Sequence, residues 1–409
     1  MKKISLIGLV AVTSLFATNG DHMIGLGTES RALGGTGLAS FNGAENALSN
    51  PALLGKMEAQ KEFSLGGTIF NSDVNVSTTN SGPNPGVNRT SSQGTSMIPV
   101  IALSTRIDEN WVFGLGMYGT AGMGTDWRAN DSAATGDPGL YNMRSSLGLM
   151  QFAPSLAYSK DNYGVGLTAI IQFGQLSIDY DTHDGAGNVV HVGSGTSQDF
   201  GYGYQLGGFY NLTNSFTIGA VYKSSIDMEY KDQITKATQA FGLRNFSDHL
   251  EQPAEYGIGF SHTLKRMTYT ADIKKIKWGS AKGYKDFGWE DQTVYAIGAK
   301  FTEDSYWLGV GFNYASNPIP NNTNSTVLPG GNTVGDTLNL ANYAMFPATV
   351  EKHYTLGGGF NITKDISLAG AFTYAPEVSD TVSGVSVGVG DITTKHSQTA
   401  TTIAMKYKF

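Results

Sequence analysis

Three stretches of the chain have residue types and spacing that could do chemistry. Gly384-Val385-Ser386-Val387-Gly388 has the spacing of a nucleophile elbow, which presents a serine on a sharp strand-to-helix turn. Here it lies in a Gly-rich stretch between strand-like segments, where that turn is not expected. Gly114-Leu115-Gly116-Met117-Tyr118-Gly119 has the spacing of a dinucleotide fingerprint, but that motif needs a following helix, and the next residues carry no helical signature. Asp227 and Glu229 fall on one face of a strand as a carboxylate pair, yet Lys223 and Lys231 share that face, so a solvated lining is the expectation. The 7 His are scattered without metal-ligand spacing, and there is no Cys, so neither thiolate chemistry nor disulfides arise. No catalytic residue, no metal site and no cofactor is expected.

The elements around these residues follow a two-residue period. From Phe63 onward, segments alternate apolar and polar residues, as a strand with two different faces requires. From Phe216 the apolar face is Ile218, Ala220, Tyr222, Ile226, Met228 and Tyr230; from Tyr306 it is Leu308, Val310, Phe312 and Tyr314. Short polar turns occur at 108–110, 160–162, 213–215, 265–266, 303–305 and 363–365. Long spacers lie near 79–95, 121–140, 181–199, 232–251, 279–291, 317–348 and 376–395. Six short turns and seven long loops join fourteen antiparallel strands. Tight turns at one end and long loops at the other are the asymmetry of an outer-membrane barrel. The composition agrees: 53 Gly, 20 Tyr and 20 Phe with 15% charged residues suit closely packed strands. The net charge of −7, with no basic stripe, argues against a nucleic-acid partner.

The two ends point the same way. Lys2 and Lys3 precede an uncharged run from Ile4 to Ala17, the form of a signal peptide and too short to span a bilayer as a helix. Residues 1–17 are therefore expected to direct export. At the other end Ile403, Met405, Tyr407 and Phe409 share one face of a strand, opposite Thr402, Lys406 and Lys408. A final strand of this kind is the signal read by the barrel-assembly machinery, which makes that machinery an expected partner through Phe409. Outer-membrane lipid and lipopolysaccharide are the expected surroundings. All five Trp fall beside strand ends, so they are expected to form an interfacial girdle.

Residues 18–60 do not alternate. Arg31-Ala32-Leu33-Gly34-Gly35-Thr36-Gly37 and Ala44-Glu45-Asn46-Ala47-Leu48-Ser49-Asn50-Pro51-Ala52-Leu53-Leu54 read as short helical turns broken by Gly and Pro. Their apolar content favours a plug folded into the barrel of residues 61–409. Arg31, Asn50, Pro51 and Ala52 are its marker residues.

These residues resemble the FadL/TodX family of outer-membrane long-chain fatty-acid and hydrocarbon transporters. The likeness runs from Arg31-Ala32 and the Gly run, through Ser49-Asn50-Pro51-Ala52-Leu53, into Phe63-Ser64 and Asp73-Val74-Asn75-Val76. Tyr222-Lys223-Ser224, Pro253-Ala254-Glu255-Tyr256, Asn317-Pro318-Ile319-Pro320 and Phe346-Pro347 continue it in the same order. The resemblance implies a 14-stranded barrel with an N-terminal luminal hatch, a luminal pocket for an apolar ligand, and release through a lateral opening beside a kinked third strand. The matching stretch is Ala121-Gly122-Met123-Gly124, and Gly within a strand marks a bulge or bend. Candidate ligand contacts are Met23, Ile24, Phe173, Lys223 and Lys352. Where the family has basic contacts to a carboxylate, this chain reads Ile171-Gln172-Phe173-Gly174 and Trp289-Glu290-Asp291. Neither stretch holds Lys or Arg, and an unpaired buried carboxylate is costly, so a neutral hydrocarbon ligand is favoured. The alternatives are a general porin, whose lumen would carry more charge, and an outer-membrane lipid hydrolase, which would need a Ser/His pair.

Overall fold

A computed structural model describes residues 18–79, 86–128, 140–183 and 187–409. The export signal expected at 1–17 lies outside the described residues. Fourteen antiparallel strands form a closed barrel: β1 (Lys61–Thr78), β2 (Thr95–Arg106), β3 (Trp111–Met123), β4 in two pieces (Arg144–Phe152 and Ser155–Lys160) and β5 (Tyr163–His183). β6 (Ser197–Thr213), β7 (Phe216–Lys223), β8 (Glu255–Leu264), β9 (Met267–Ile276) and β10 (Gln292–Thr302) follow. β11 (Tyr306–Ala315), β12 (Lys352–Asn361), β13 (Ile366–Gly384) and β14 (Gly390–Lys408) complete the wall. Each strand pairs with its sequence neighbour, and β14 closes on β1 from Lys408↔Glu62 to Ile392↔Thr78. Closure gives every strand a neighbour on both sides, which is what hydrocarbon surroundings demand of backbone amides.

The alternating faces sort as a membrane barrel requires. Leu308, Val310, Ile297, Leu356 and Ile403 are exposed outward, while Asn313, Thr355, Thr402 and Gln292 are buried inward. Met405, Tyr407 and Phe409 also face outward. The interfacial aromatics are tyrosines rather than tryptophans: Tyr222 lies opposite Tyr256, Tyr295 opposite Tyr314 and Tyr354 opposite Tyr374 at the long-loop end. Of the five Trp, Trp111 stands outward, whereas Trp127, Trp278 and Trp289 are buried and Trp307 packs inward on Gly359. The expected Trp girdle is thus corrected. An aromatic beside a strand end can face either way, and these loops need large side chains for their own core.

Two further expectations change. The spacer expected at 376–395 is mostly strand, since β13 and β14 stay paired to Gly384↔Gly390. Above the bilayer a strand needs no apolar face, so its Thr and Ser residues give no alternation. Ile226, Met228 and Tyr230 are not on a lipid-facing strand: β7 ends at Lys223, and all three are buried within the following loop. Asp227 sits there too, bonded to His249 at 2.9 Å and Lys282 at 2.5 Å rather than lining the lumen.

Residues 18–57 run inside the barrel, nearly all buried. Short helices at Gly27–Ala32 and Asn46–Ser49 and a 3-10 turn at Pro51–Lys56 form this segment. Asn50 caps the last turn by accepting from Ala52 N–H at 3.2 Å, and its amide donates to Leu38 O and to Gly208 O on the wall. The wall meets the segment with bare backbone. A Cβ on Gly207 would strike Asn50 and Pro51, one on Gly219 would strike Leu38, and one on Gly311 would strike Leu33 and Gly34. Arg31 is buried and donates to Thr402 at 2.9 Å and to Thr68, two hydroxyls themselves 2.8 Å apart across β14 and β1. Lys300 pairs with Glu29, and Lys406 with Glu45 at 3.3 Å.

Candidate functional site

Three loops close the long-loop end. One spans 224–254 and carries the helix Ile234–Gln239; the second spans 277–291; the third spans 316–351 with the helix Val334–Leu340. Their apolar side chains turn inward and join Leu176, Ile178 and Tyr180 of β5 in one core. Two adjoining hollows remain within it, sharing Ile178, Phe287 and Phe346. Leu250, Tyr284, Trp289 and Met123 line the first; Phe241, Leu243, Leu340 and Met345 line the second. Neither lining contains Asp, Glu, Lys or Arg. The polar groups present serve one another: Trp289 Nε1 donates to Asn342 Oδ1 at 3.0 Å, Asn342 Nδ2 donates to Phe287 O at 2.8 Å, and Tyr180 donates to Ala237 O at 2.5 Å. A guest therefore finds apolar contact and no counter-charge. The free spaces are about 20 and 30 Å³, room for a water or two, so anything larger requires the loops to part.

The floor of the first hollow is tied to the start of the luminal segment. Tyr284 lines the hollow and its hydroxyl donates to Asp21 Oδ2. Gln252 Nε2 donates to the same oxygen at 2.9 Å, and His22 Nε2 lies 2.7 Å from Gln252 Oε1. Burial, and after it the charge of Asp21, push the Tyr284 phenol well above its usual range, so it remains a donor. Trp278, Tyr284 and Trp289 pack with centroids 4.6–5.1 Å apart. Gly20, at φ +71°, passes so close beneath Trp278 that a Cβ would lie 2.5 Å from the indole.

The same residues cover an interruption in the wall. The β2–β3 ladder ends at Val100↔Tyr118. Beyond it, β2 continues along β1 to Thr95, and β3 continues along β4 to Met123 with a register shift between Gly119 and Ala121. Residues 95–99 and 119–123 thus border a window. At its far end Ser92 N–H donates to Asp126 O, and Asp126 N–H to Ser91 Oγ, both at 2.9 Å. From inside, His22 pairs with Ala121 and Gly122 N–H donates to Asp21 O at 3.1 Å.

Of the residues expected at an opening, Ala121, Gly122 and Met123 border the window. Gly124 (φ +157°) ends the strand, with no room for a Cβ against Ser145 O. The departure begins earlier than expected, at Tyr118–Gly119. Pro99, the first β2 residue past the last β2–β3 pair, carries the signal that was missed: without an N–H it cannot donate to a neighbour, and within a sheet it marks an edge. Of the expected ligand contacts, Met23 and Lys223 line a separate cavity of about 100 Å³, where His22, Glu255 and Lys274 stand among apolar residues. Lys223 lies 3.5 Å from Glu255 there. Ile24 is buried against Gly35. Phe173 faces outward against Phe200 at 5.3 Å, and Lys352 is exposed on the outer face, so neither meets the lumen. Both lie one residue from inward positions, Gln172 and His353, and a single-residue offset reverses the face. The elbow-like Ser386 sits in a turn between two strands; its hydroxyl oxygen accepts from Thr333 N–H at 2.8 Å. Gly114–Gly119 lies wholly in β3, which runs on to Met123.

A family model described as outer membrane protein transport protein (OMPP1/FadL/TodX) matches residues 5–409. The long-chain fatty acid transport protein of Escherichia coli O6:H1 is 23% identical over 381 residues, covering 80% of this chain and 82% of that protein. The crystal structure of the Pseudomonas putida toluene transporter TodX superposes with a TM-score of 0.71 at 19% identity, covering 94% of this chain and 99% of that one. A Pseudomonas aeruginosa FadL homologue superposes with a TM-score of 0.71 at 15% identity, covering 95% and 100% of the two chains.

Proposed function

Because the chain belongs to the OMPP1/FadL/TodX family of outer-membrane transport proteins, we propose that it takes up small uncharged hydrophobic molecules of the monoaromatic hydrocarbon type. The observation that carries this is the pair of hollows lined mainly by apolar side chains, whose few polar groups already have hydrogen-bond partners. A carboxylate entering them would lose its water without gaining a partner. The route supported by the geometry runs from the hollows past Tyr284 to the window between β2 and β3. The luminal segment of residues 18–60 acts as the hatch, and its first residues close the window. Lateral release suits such cargo, because apolar surface gains about 25 cal/mol per Å² on leaving water and the bilayer lies directly outside.

One feature favours a second cargo. Lys223 and Lys274 share a cavity with the single carboxylate Glu255 below the hollows, a place where the head group of a fatty acid could find a cation. The outward face of β14 ending in Tyr407 and Phe409 supports recognition by the barrel-assembly machinery, and the tyrosine belts support seating among outer-membrane lipid and lipopolysaccharide. No catalytic role is assigned. The test is uptake by cells making the protein, offered toluene or laurate, together with sugar flux and phospholipid hydrolysis by the purified protein in liposomes. Toluene uptake without sugar flux or hydrolysis is expected. Laurate uptake alone would move the site to the lysine cavity, and sugar flux would make the protein a porin.

A further inference from the structure

The hollow and the window are linked by one set of hydrogen bonds. Tyr284 contributes its ring to the lining of the hollow and its hydroxyl to Asp21. Asp21 in turn offers its backbone oxygen to Gly122 N–H, inside the window. Asp21 therefore bonds both to the lining of the hollow and to β3, whose Met123 itself lines the hollow. We propose that Tyr284 and Asp21 form a latch, through which a guest pressing on the Tyr284 ring releases residues 18–23 from the window. The inference rests on the uptake reading above and adds the residues through which occupancy is sensed.

The physical case has three parts. First, the hollow must widen to admit a ring, and the aromatic cluster of Tyr284, Trp278 and Trp289 is part of its wall, so widening displaces the phenol. Second, the Asp21 carboxylate is fully buried, and its Oδ2 depends on Tyr284 and Gln252 for its donors. Removing one donor from a buried carboxylate costs more than an ordinary hydrogen bond. Third, the segment has the joints to move alone. Gly20, Gly25 and Gly27 all have positive φ, whereas the part beyond is pinned to the wall by Glu29, Arg31, Glu45 and Asn50.

The chain has no cysteine, so Ala121→Cys provides a unique reporter beneath residues 21–22. Its rate of maleimide labelling is measured on the full-length protein in detergent, with and without toluene, while quenching of Trp278 and Trp289 fluorescence reports toluene binding separately. In the reporter alone, labelling is slow and toluene should accelerate it at least about tenfold, as expected for loss of a hydrogen bond to a charged group. Adding Tyr284→Phe should give that faster rate without toluene, and toluene should add little. Asp21→Leu should label as fast, and combining it with Tyr284→Phe should be no faster, because both remove the same bond. If Tyr284→Phe and Asp21→Leu label at the reporter's own rate, the latch is wrong. Quenching by toluene with no change in labelling would also overturn the latch while leaving uptake intact. Absence of quenching would instead remove the uptake reading, and the toluene-free rates would still decide whether the phenol holds the segment.

Discussion

A covalent lock across the window gives the most direct measure of lateral release. His22 and Ala121 are antiparallel partners, which places their Cα atoms about 4.5–5.5 Å apart. Disulfides span about 4.4–6.8 Å between Cα atoms, so His22→Cys with Ala121→Cys should oxidise without moving the backbone. The resting seal can be sized from its bonds. Gly122 to Asp21 O is a backbone bond worth about 1 kcal/mol, and the two donors to the Asp21 carboxylate add about 1.5–3 kcal/mol each. The sum, about 4–7 kcal/mol, leaves the window open in roughly one molecule in 10³ to 10⁵ at rest. A disulfide removes even that fraction. Toluene uptake by cells should then fall to the share of protein left unlinked on a non-reducing gel and return on reduction, while toluene binding by tryptophan quenching persists. The single variant His22→Cys under reducing conditions controls for its lost bond to Gln252. Full uptake by a completely oxidised double variant would refute lateral exit here and send the cargo out through the short-turn end.

Four other outcomes are expected. Ile178→Lys places an unpaired cation between the two hollows, and because burying a charge alone costs several kcal/mol it should abolish toluene quenching while the barrel keeps its heat-modifiable gel mobility. Gly219→Val forces a side chain into the backbone of Leu38; overpacking of about 1–3 kcal/mol should lower the temperature at which the barrel unfolds on gels. Epitope tags at Gly330-Gly331, where there is open space, should be reached by antibody on intact cells, and tags at Asp161 or Lys364 should not. Burial raises the Asp227 carboxyl, but hydrogen bonds from Lys282 and His249 outweigh it and hold it below its usual 3.8; that stability is present above the usual value and is lost as pH falls through the depressed one, so proteolysis of the 224–254 loop should increase only below about pH 4.

Much of the wall was legible because a membrane strand must alternate. Leu308 and Val310 must face lipid, so their positions fix the phase of β11, and the short turns fix the next strand. The same logic stops where the lipid stops. Thr381 and Thr393 lie opposite one another in the upper β13–β14 hairpin, whose outer face meets water rather than lipid and needs no apolar pattern, while Val382 and Ile392 pack inward on the loops. It also says nothing about how loops pack, which is why Trp127 was placed at an interface although its indole donates to Ala344 O at 2.8 Å inside the core. The short turns of residues 18–57 were readable, but how they pack against the wall was not. That fit depends on which wall residues lack a side chain, as at Gly207 and Gly311, and glycine reads alike whether it faces lipid or lumen. Gly122 and Gly124 only permit a break in the wall. Pro99 was the stronger mark, because a missing donor is a chemical gap rather than a conformational freedom.

The place where Arg31 is held bears on how the molecule is made. Its guanidinium bridges Thr68 on the first strand and Thr402 on the last, and these two strands meet only when the sheet curls round to become a cylinder. Glu45 reaches the same junction from within, accepting from Ser64 on the first strand and pairing with Lys406 on the last. The luminal segment's hold on Thr68 and Thr402 is thus complete only when the first and last strands are joined, which couples the filling of the lumen to the sealing of the wall.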